Sequence, residues 1–173
     1  MQTRHNHTKS GFTLVELLVV IAIIAILTAI IMTNLVSSKA KSRDAKRASD
    51  LSQISLALVE FFDRCDQYPT PDTGNVIDAT TLLQSTGCPS GITLATYISS
   101  MPKDPSTGNP YGYTVNVTNG GTPTDYVLHT TFESSNSVLS QSAPLPLSPP
   151  WPTGTVPSSY ACQTGQNYCV RPY

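Results

Sequence analysis

Between Phe12 and Met32 the chain runs for twenty-one residues with one charged side chain, Glu16, and two threonines. Coiled as an α-helix, such a run spans about 30 Å, the thickness of a bilayer's hydrocarbon core. The eleven residues ahead of it carry Arg4 and Lys9 and no acid. An ordinary secretory signal is cut behind its apolar stretch, at small residues. Here the nearest such place, Ser38-Lys39-Ala40, lies well past Met32. The order is therefore basic leader, glycine, apolar helix with an acid near its start, then a polar domain.

Nothing interrupts a helix for a long way. No proline precedes Pro69, and no glycine lies between Gly11 and Gly74, so the two strongest helix breakers are missing. Past Met32 the pattern turns amphipathic: Leu51, Ile54, Leu58 and Phe61 recur at spacings of three and four, flanked by Ala57 and Phe62. Ala40, Ala45 and Ala48 supply a small-residue face upstream. One helix is predicted from about Thr13 to Arg64, about 75 Å long at 1.5 Å per residue. Tyr68-Pro69-Thr70-Pro71 ends it.

Behind the helix about 110 residues are left, enough for one small domain. Ala79–Ser85 reads as one or two helical turns and Ile92–Ile98 as a short apolar piece. Met101-Pro102-Lys103-Asp104-Pro105-Ser106-Thr107-Gly108-Asn109-Pro110-Tyr111 is a structured turn by its prolines, Gly108 and Asn109. Tyr111–Val117 and Tyr126–Phe132 alternate as half-buried strands about a turn at Asn119-Gly120-Gly121. Two strands alone are marginal, so they pack on the helix face at Leu51–Phe62, and the tail is a source for a third. From Ala143 onward come seven of the fourteen prolines and the only tryptophan, Trp151; this favours extended backbone without a core of its own.

Charge divides the chain. The formal net charge is −1, and without residues 1–11 eight bases face eleven acids, a net −3. Five of those eight, Lys39, Lys41, Arg43, Lys46 and Arg47, crowd just past the apolar run, and they read as a solvated helix face ahead of the alternative, a contact with anionic lipid or DNA. The distal domain is acidic, which argues against broad nucleic-acid binding there. Cys65, Cys88, Cys162 and Cys169 all follow the apolar run. In an oxidising compartment they read as two disulfides with three possible pairings. Local loop closure favours Cys65–Cys88 with Cys162–Cys169; zinc is the rival, though no Cys-x-x-Cys exists and His129 is the only histidine beyond the leader.

Ser10-Gly11-Phe12-Thr13-Leu14-Val15-Glu16 and the apolar run behind it resemble the N-terminus of a type IV pilin or type II secretion pseudopilin. The Pro102-Lys103-Asp104-Pro105…Gly108-Asn109-Pro110-Tyr111 loop is similar to one in the major pseudopilins. The resemblance implies an α+β fold: a long N-terminal helix packed against a small antiparallel sheet, with a loop-rich C-terminal tail. Its parts are a leader at 1–11, the membrane and filament-core half of the helix at 12–34, and the amphipathic half at 35–66. A head at 67–136 and an extension at 137–173 complete it. Cleavage falls between Gly11 and Phe12, followed by methylation of the new amine. Glu16 meets that amine on an adjacent subunit, which offsets the roughly 2.5–3.5 kcal/mol cost of a carboxylate inside a bilayer.

The partners implied are identical or homologous subunits, a prepilin peptidase, an assembly ATPase, a membrane platform and inner-membrane lipid, with no specific nucleic acid. Placement is single-pass in the inner membrane with the C-terminus outside the cytoplasm, then in an extracellular or periplasmic filament. Positive-inside counting, two bases before the helix against five after, points the other way. No cofactor is expected: calcium is the one the resemblance brings in, with Asp104, Asn109 and Asp125 as oxygen donors, but their spacing does not match a dense acidic loop. The sequence departs from the common pilin pattern in lacking a proline near Met32-Thr33-Asn34. Asn116-Val117-Thr118 fits a glycosylation acceptor pattern. No catalytic constellation is present, since His5 and His7 leave with the leader. The function expected is a pilus-like filament subunit, with a secretion pseudopilin or a minor adhesive or DNA-binding pilin as alternatives.

Overall fold

The computed structural model describes residues 11–71, 76–77, 88–89, 91–116, 121–135, 137–142, 162 and 166–172. The chain divides into two compact units, Met1–Lys39 and Ala40–Tyr173. One helix, α1, runs Leu14–Cys65, 52 residues, and its backbone is helical through Thr33 and Asn34. The predicted Ala79–Ser85 turns, the Asn119-Gly120 turn and the proline-rich 143–161 stretch with Trp151 lie outside the described residues.

In the first unit every large apolar side chain from Phe12 to Met32 is exposed. The most apolar 18-residue window has a mean hydropathy of 3.1, long and apolar enough to cross a bilayer. Within it the Thr28 hydroxyl donates to the Ile24 carbonyl at 2.7 Å. That bond satisfies a polar group where lipid offers no partner.

The second unit is α1's amphipathic half under a four-stranded antiparallel sheet. Its strands are β1 (Val76–Ile77), β2 (Tyr111–Asn116), β3 (Asp125–Thr131) and β4 (Asn167–Val170), in that spatial order. Leu51, Ile54, Leu58 and Phe61, all fully buried, share one core with Ile77, Leu94, Tyr111, Tyr113, Tyr126, Leu128, Phe132 and Tyr168. Three core tyrosines carry their hydroxyls to polar partners, as buried phenols must. Tyr111 donates to Asp50 Oδ2 at 2.8 Å, Tyr113 to the Pro69 carbonyl at 2.8 Å, and Tyr126 shares a 2.7 Å bond with Ser55. Helix α1 closes at Asp66, whose φ of 54° is left-handed and whose N–H reaches the Phe62 carbonyl at 2.8 Å. A short polar residue tolerates that conformation.

The tail supplies the third strand the sequence allowed for, β4. Three features differ from the sequence expectation. β1 adds a fourth strand from residues to which the sequence assigned no element. The segment Ile92–Ile98 contributes only a 3-10 turn at Leu94–Thr96. Most tellingly, β2 and β3 are buried on both faces: Val127 packs with Cys162 and Cys169 on the side away from α1, where Thr114, Asn116 and His129 are buried too. Polar residues on that face make the alternation read as half-exposed. Burial of Asn116, 3% exposed, also removes it as a glycosylation acceptor on the folded surface.

Gly112 pairs with His129 across β2 and β3, and a Cβ at 112 would fall 1.9 Å from the His129 ring. The ring is 7% exposed and has little room to retreat. Gly112→Ala is therefore expected to cost about 1–3 kcal/mol by overpacking. Adding His129→Ala should recover a large part of that loss in a urea-denaturation double-mutant cycle; strict additivity would refute the steric account.

Candidate functional site

At the start of α1 the chain forms a reciprocal cap. The Thr13 N–H and hydroxyl both donate to Glu16 Oε2, at 2.8 and 2.7 Å, and the Glu16 N–H returns to Thr13 Oγ1 at 3.3 Å. Two otherwise orphaned helix donors are thereby satisfied. The signal, Thr-x-x-Glu ahead of an apolar run, stands in the sequence at Thr13–Glu16 and is not used in the reading above. Glu16 remains exposed, so its carboxylate is open to a further donor. Phe12, 83% exposed, precedes the cap. Gly11 has nothing within 4 Å of where a Cβ would sit and no left-handed φ, so the fold makes no demand for glycine there.

The basic cluster is the site the sequence misread. Arg47 is not solvated but 3% exposed, beside a fully buried Asp44. Its Nε donates to Asp104 Oδ2 at 2.6 Å, its Nη1 to Asp44 Oδ1 at 2.7 Å, and its Nη2 to Glu133 Oε1 at 2.7 Å and Ser106 Oγ at 2.9 Å. Arg43 pairs with the same Glu133, its Nε 2.8 Å from Oε1. Asp44 also accepts the Glu133 and Ser134 N–H groups at 2.8 and 2.9 Å. Lys46 pairs with Asp50 at 2.9 Å. Three of the five clustered bases are thus engaged with acids, with Lys39 and Lys41 exposed beside them.

Asp104 also organises its own loop. Its Oδ1 accepts the Ser106 and Thr107 N–H groups at 2.8 and 2.9 Å, its carbonyl accepts Gly108 N–H, and its N–H reaches the Asn109 carbonyl. Gly108, at φ 70°, makes the turn that lets this loop close.

All four cysteines are paired, Cys65 with Cys88 and Cys162 with Cys169. The calcium donors named from sequence have other partners within the chain. Asp104 is committed to Arg47, while Asp125 accepts the Tyr126 N–H at 2.8 Å and lies 3.9 Å from Arg171. Among the described residues no group of three or more His, Cys, Asp or Glu side chains is placed to hold a metal ion.

The molecule thus joins a capped helix start, apolar on every side, to a small α+β unit built on the same helix's second half. Residues 6–32 match the prokaryotic N-terminal methylation motif. The type II secretion system core protein G of Aeromonas hydrophila is 36% identical over 105 residues, covering 60% of this chain and 71% of that one. Its counterpart in Escherichia coli is 34% identical over 112 residues, 62% and 73% of the two chains. The type IV major pilin protein PilA of Myxococcus xanthus is 38% identical over 66 residues, 38% of this chain and 30% of PilA. No solved structure gives a significant match. The chain belongs to the pilin and pseudopilin family.

Acid should weaken the head in two stages. Burial would raise the Asp104 carboxyl, but Arg47 and the Thr107 and Ser106 amides outweigh it and bring it from 3.8 to about 2. Hydrogen bonds from Arg43 and Ser106 hold Glu133 well below its ordinary 4.5. Burial lowers His129 from 6.5 to about 4. Each folded value lies below its unfolded one, so each stabilising contribution is complete at high pH and is lost as pH falls. Thermal melts are expected to hold level between about pH 7 and 9, below the ordinary tyrosine range. They should fall from about pH 6.5 to 4 as unfolded His129 binds a proton, and then further toward pH 2 as the carboxylates do. His129→Gln should remove the upper stage and leave the lower; an unchanged upper stage would assign it elsewhere.

Proposed function

We propose that this protein is the structural subunit of a pilus-like filament, stored in the inner membrane as a precursor and polymerised through the apolar half of α1. The observation that carries the reading is that half itself: every large side chain from Phe12 to Met32 is exposed. Such a surface belongs in lipid or among other helices. Prepilin peptidase cuts after Gly11 and the Phe12 amine is methylated; that the fold places no demand on glycine at 11 supports a requirement set by the processing enzyme. In the filament Glu16 exchanges the Thr13 cap for the Phe12 amine of a neighbouring subunit. An assembly ATPase and a membrane platform supply the extraction step. Catalysis has no part in this reading.

The disulfides support the orientation. Two cysteine pairs in the second unit suit an oxidising compartment, in keeping with a C-terminus outside the cytoplasm. A second reading, a type II secretion pseudopilin, is favoured by how far the likeness to core protein G extends. Over 105 residues it exceeds what the leader and α1 supply together and includes part of the head. The PilA likeness, 66 residues, is about the length of leader and helix together.

Intact mass of the membrane-extracted protein tests the processing: loss of residues 1–11, one added methyl and four missing cysteine hydrogens are expected. Retained Met1 would sink the proposal. Glu16→Leu should leave membrane insertion intact and cut filament yield in a shearing assay by on the order of tenfold or more, the scale of losing a charge-assisted bond. Wild-type yield would remove the pairing role. An alkaline phosphatase fusion at the C-terminus should be active, and an inactive one reverses the orientation.

A further inference from the structure

We infer that the head of this subunit holds its Pro102–Pro110 loop without a divalent cation, because the Arg47 guanidinium is the cation of a three-carboxylate cage. The acids come from three separate places: Asp44 on α1, Asp104 in the loop, and Glu133 just past β3. Convergence of three carboxylates from distant segments is the usual setting for a bound metal ion. Here the positive charge is part of the chain. It cannot be lost by deprotonation, and its planar fork meets several oxygens at once.

All six carboxylate oxygens of the cage already have donors. Asp44 Oδ1 accepts Arg47 and the Glu133 N–H, and Oδ2 accepts the Ser134 N–H and hydroxyl. Asp104 Oδ1 accepts two loop amides and Oδ2 accepts Arg47. Glu133 Oε1 accepts Arg47 and the Ser106 hydroxyl, and Oε2 accepts Arg43. A calcium ion needs six to eight oxygens, and it would have to displace a nearly fully buried guanidinium to reach these. The loop is thereby held to α1 in two ways, through Asp104 and through Ser106, by one side chain.

This goes beyond the filament reading and does not depend on it. The test is thermal unfolding of the full-length protein in detergent, comparing chelator with millimolar calcium. Tm is expected to agree within about 2 °C. A calcium site filled at a hundred times its Kd would raise it by about 5 °C or more. Any calcium-dependent rise above about 2 °C overturns the inference. Arg47→Met should speed hydrogen exchange at the Ser106 and Thr107 amides by on the order of tenfold or more. Unchanged exchange at both would show that Arg47 does not hold the loop. Should that variant not fold, Asp104→Asn, which keeps the shape and removes the charge, reads the same amides with the same two outcomes.

Discussion

A helix that is apolar on every side cannot be left in water, and the first half of α1 is such a helix. Burying one of its large side chains is favourable by about 1.5–3 kcal/mol, and it carries more than a dozen. Lipid and a bundle of like helices satisfy that surface about equally well, because acyl chains are as apolar as leucine. Hydrophobicity therefore fixes that the segment must be covered without choosing which cover it takes. In the filament reading the choice falls to Glu16, the only charged group in the run. A carboxylate is costly in hydrocarbon and favourable beside an amine, so it separates two states that the apolar surface leaves nearly level.

The Thr13 cap gives that acid a place to wait. A capping interaction contributes about 0.5–2 kcal/mol, and a hydrogen bond to a charged partner about 1.5–3. These ranges overlap, so in the filament reading the exchange from Thr13 to an amine is a modest step, and the helix N-terminus stays satisfied until the amine exists. In the filament reading cleavage creates that amine at Phe12, one residue ahead of the cap, so processing and pairing would be linked by sequence position.

Local patterns carried the reading a long way. The single helix was legible because no proline or glycine interrupts it and because Leu51, Ile54, Leu58 and Phe61 keep a helical period. The strands at Tyr111 and Tyr126 were legible from their alternation, and β4 only as tail material available to the sheet. Arg47 was not legible, for a definite physical reason. Its partners Asp104, Ser106 and Glu133 are 57, 59 and 86 residues away, and only Asp44, at i−3, is a helical neighbour. A run of five bases reads as a solvated face unless the acids that fold over it are known. The second buried face of the sheet was hidden likewise, since Thr114, Asn116 and His129 are polar and only burial reveals what they do. The Thr13–Glu16 cap is different: its spacing was readable, and the acid drew attention as a charge in an apolar run before it could be seen as half of a cap.

Seen from α1, the head grips its helix at several levels. Arg43, Asp44 and Arg47 hold the loop and the segment after β3, Asp50 takes the Tyr111 hydroxyl, Ser55 meets Tyr126, and Cys65 is bonded to Cys88. These contacts differ in kind, and their weaknesses differ accordingly. Acid acts on the carboxylates, reductant on the disulfide, and neither removes the tyrosine core between them. Breaking one partner out of a buried ion pair costs about 3–5 kcal/mol, so the Arg47 cage is strong only while complete. A filament subunit drawn by its helix would load the head first at Arg43–Arg47, where the amphipathic half begins to be covered. If the internal guanidinium stands in place of an exchangeable ion, as inferred above, the grip does not depend on the cation content of the compartment the head occupies.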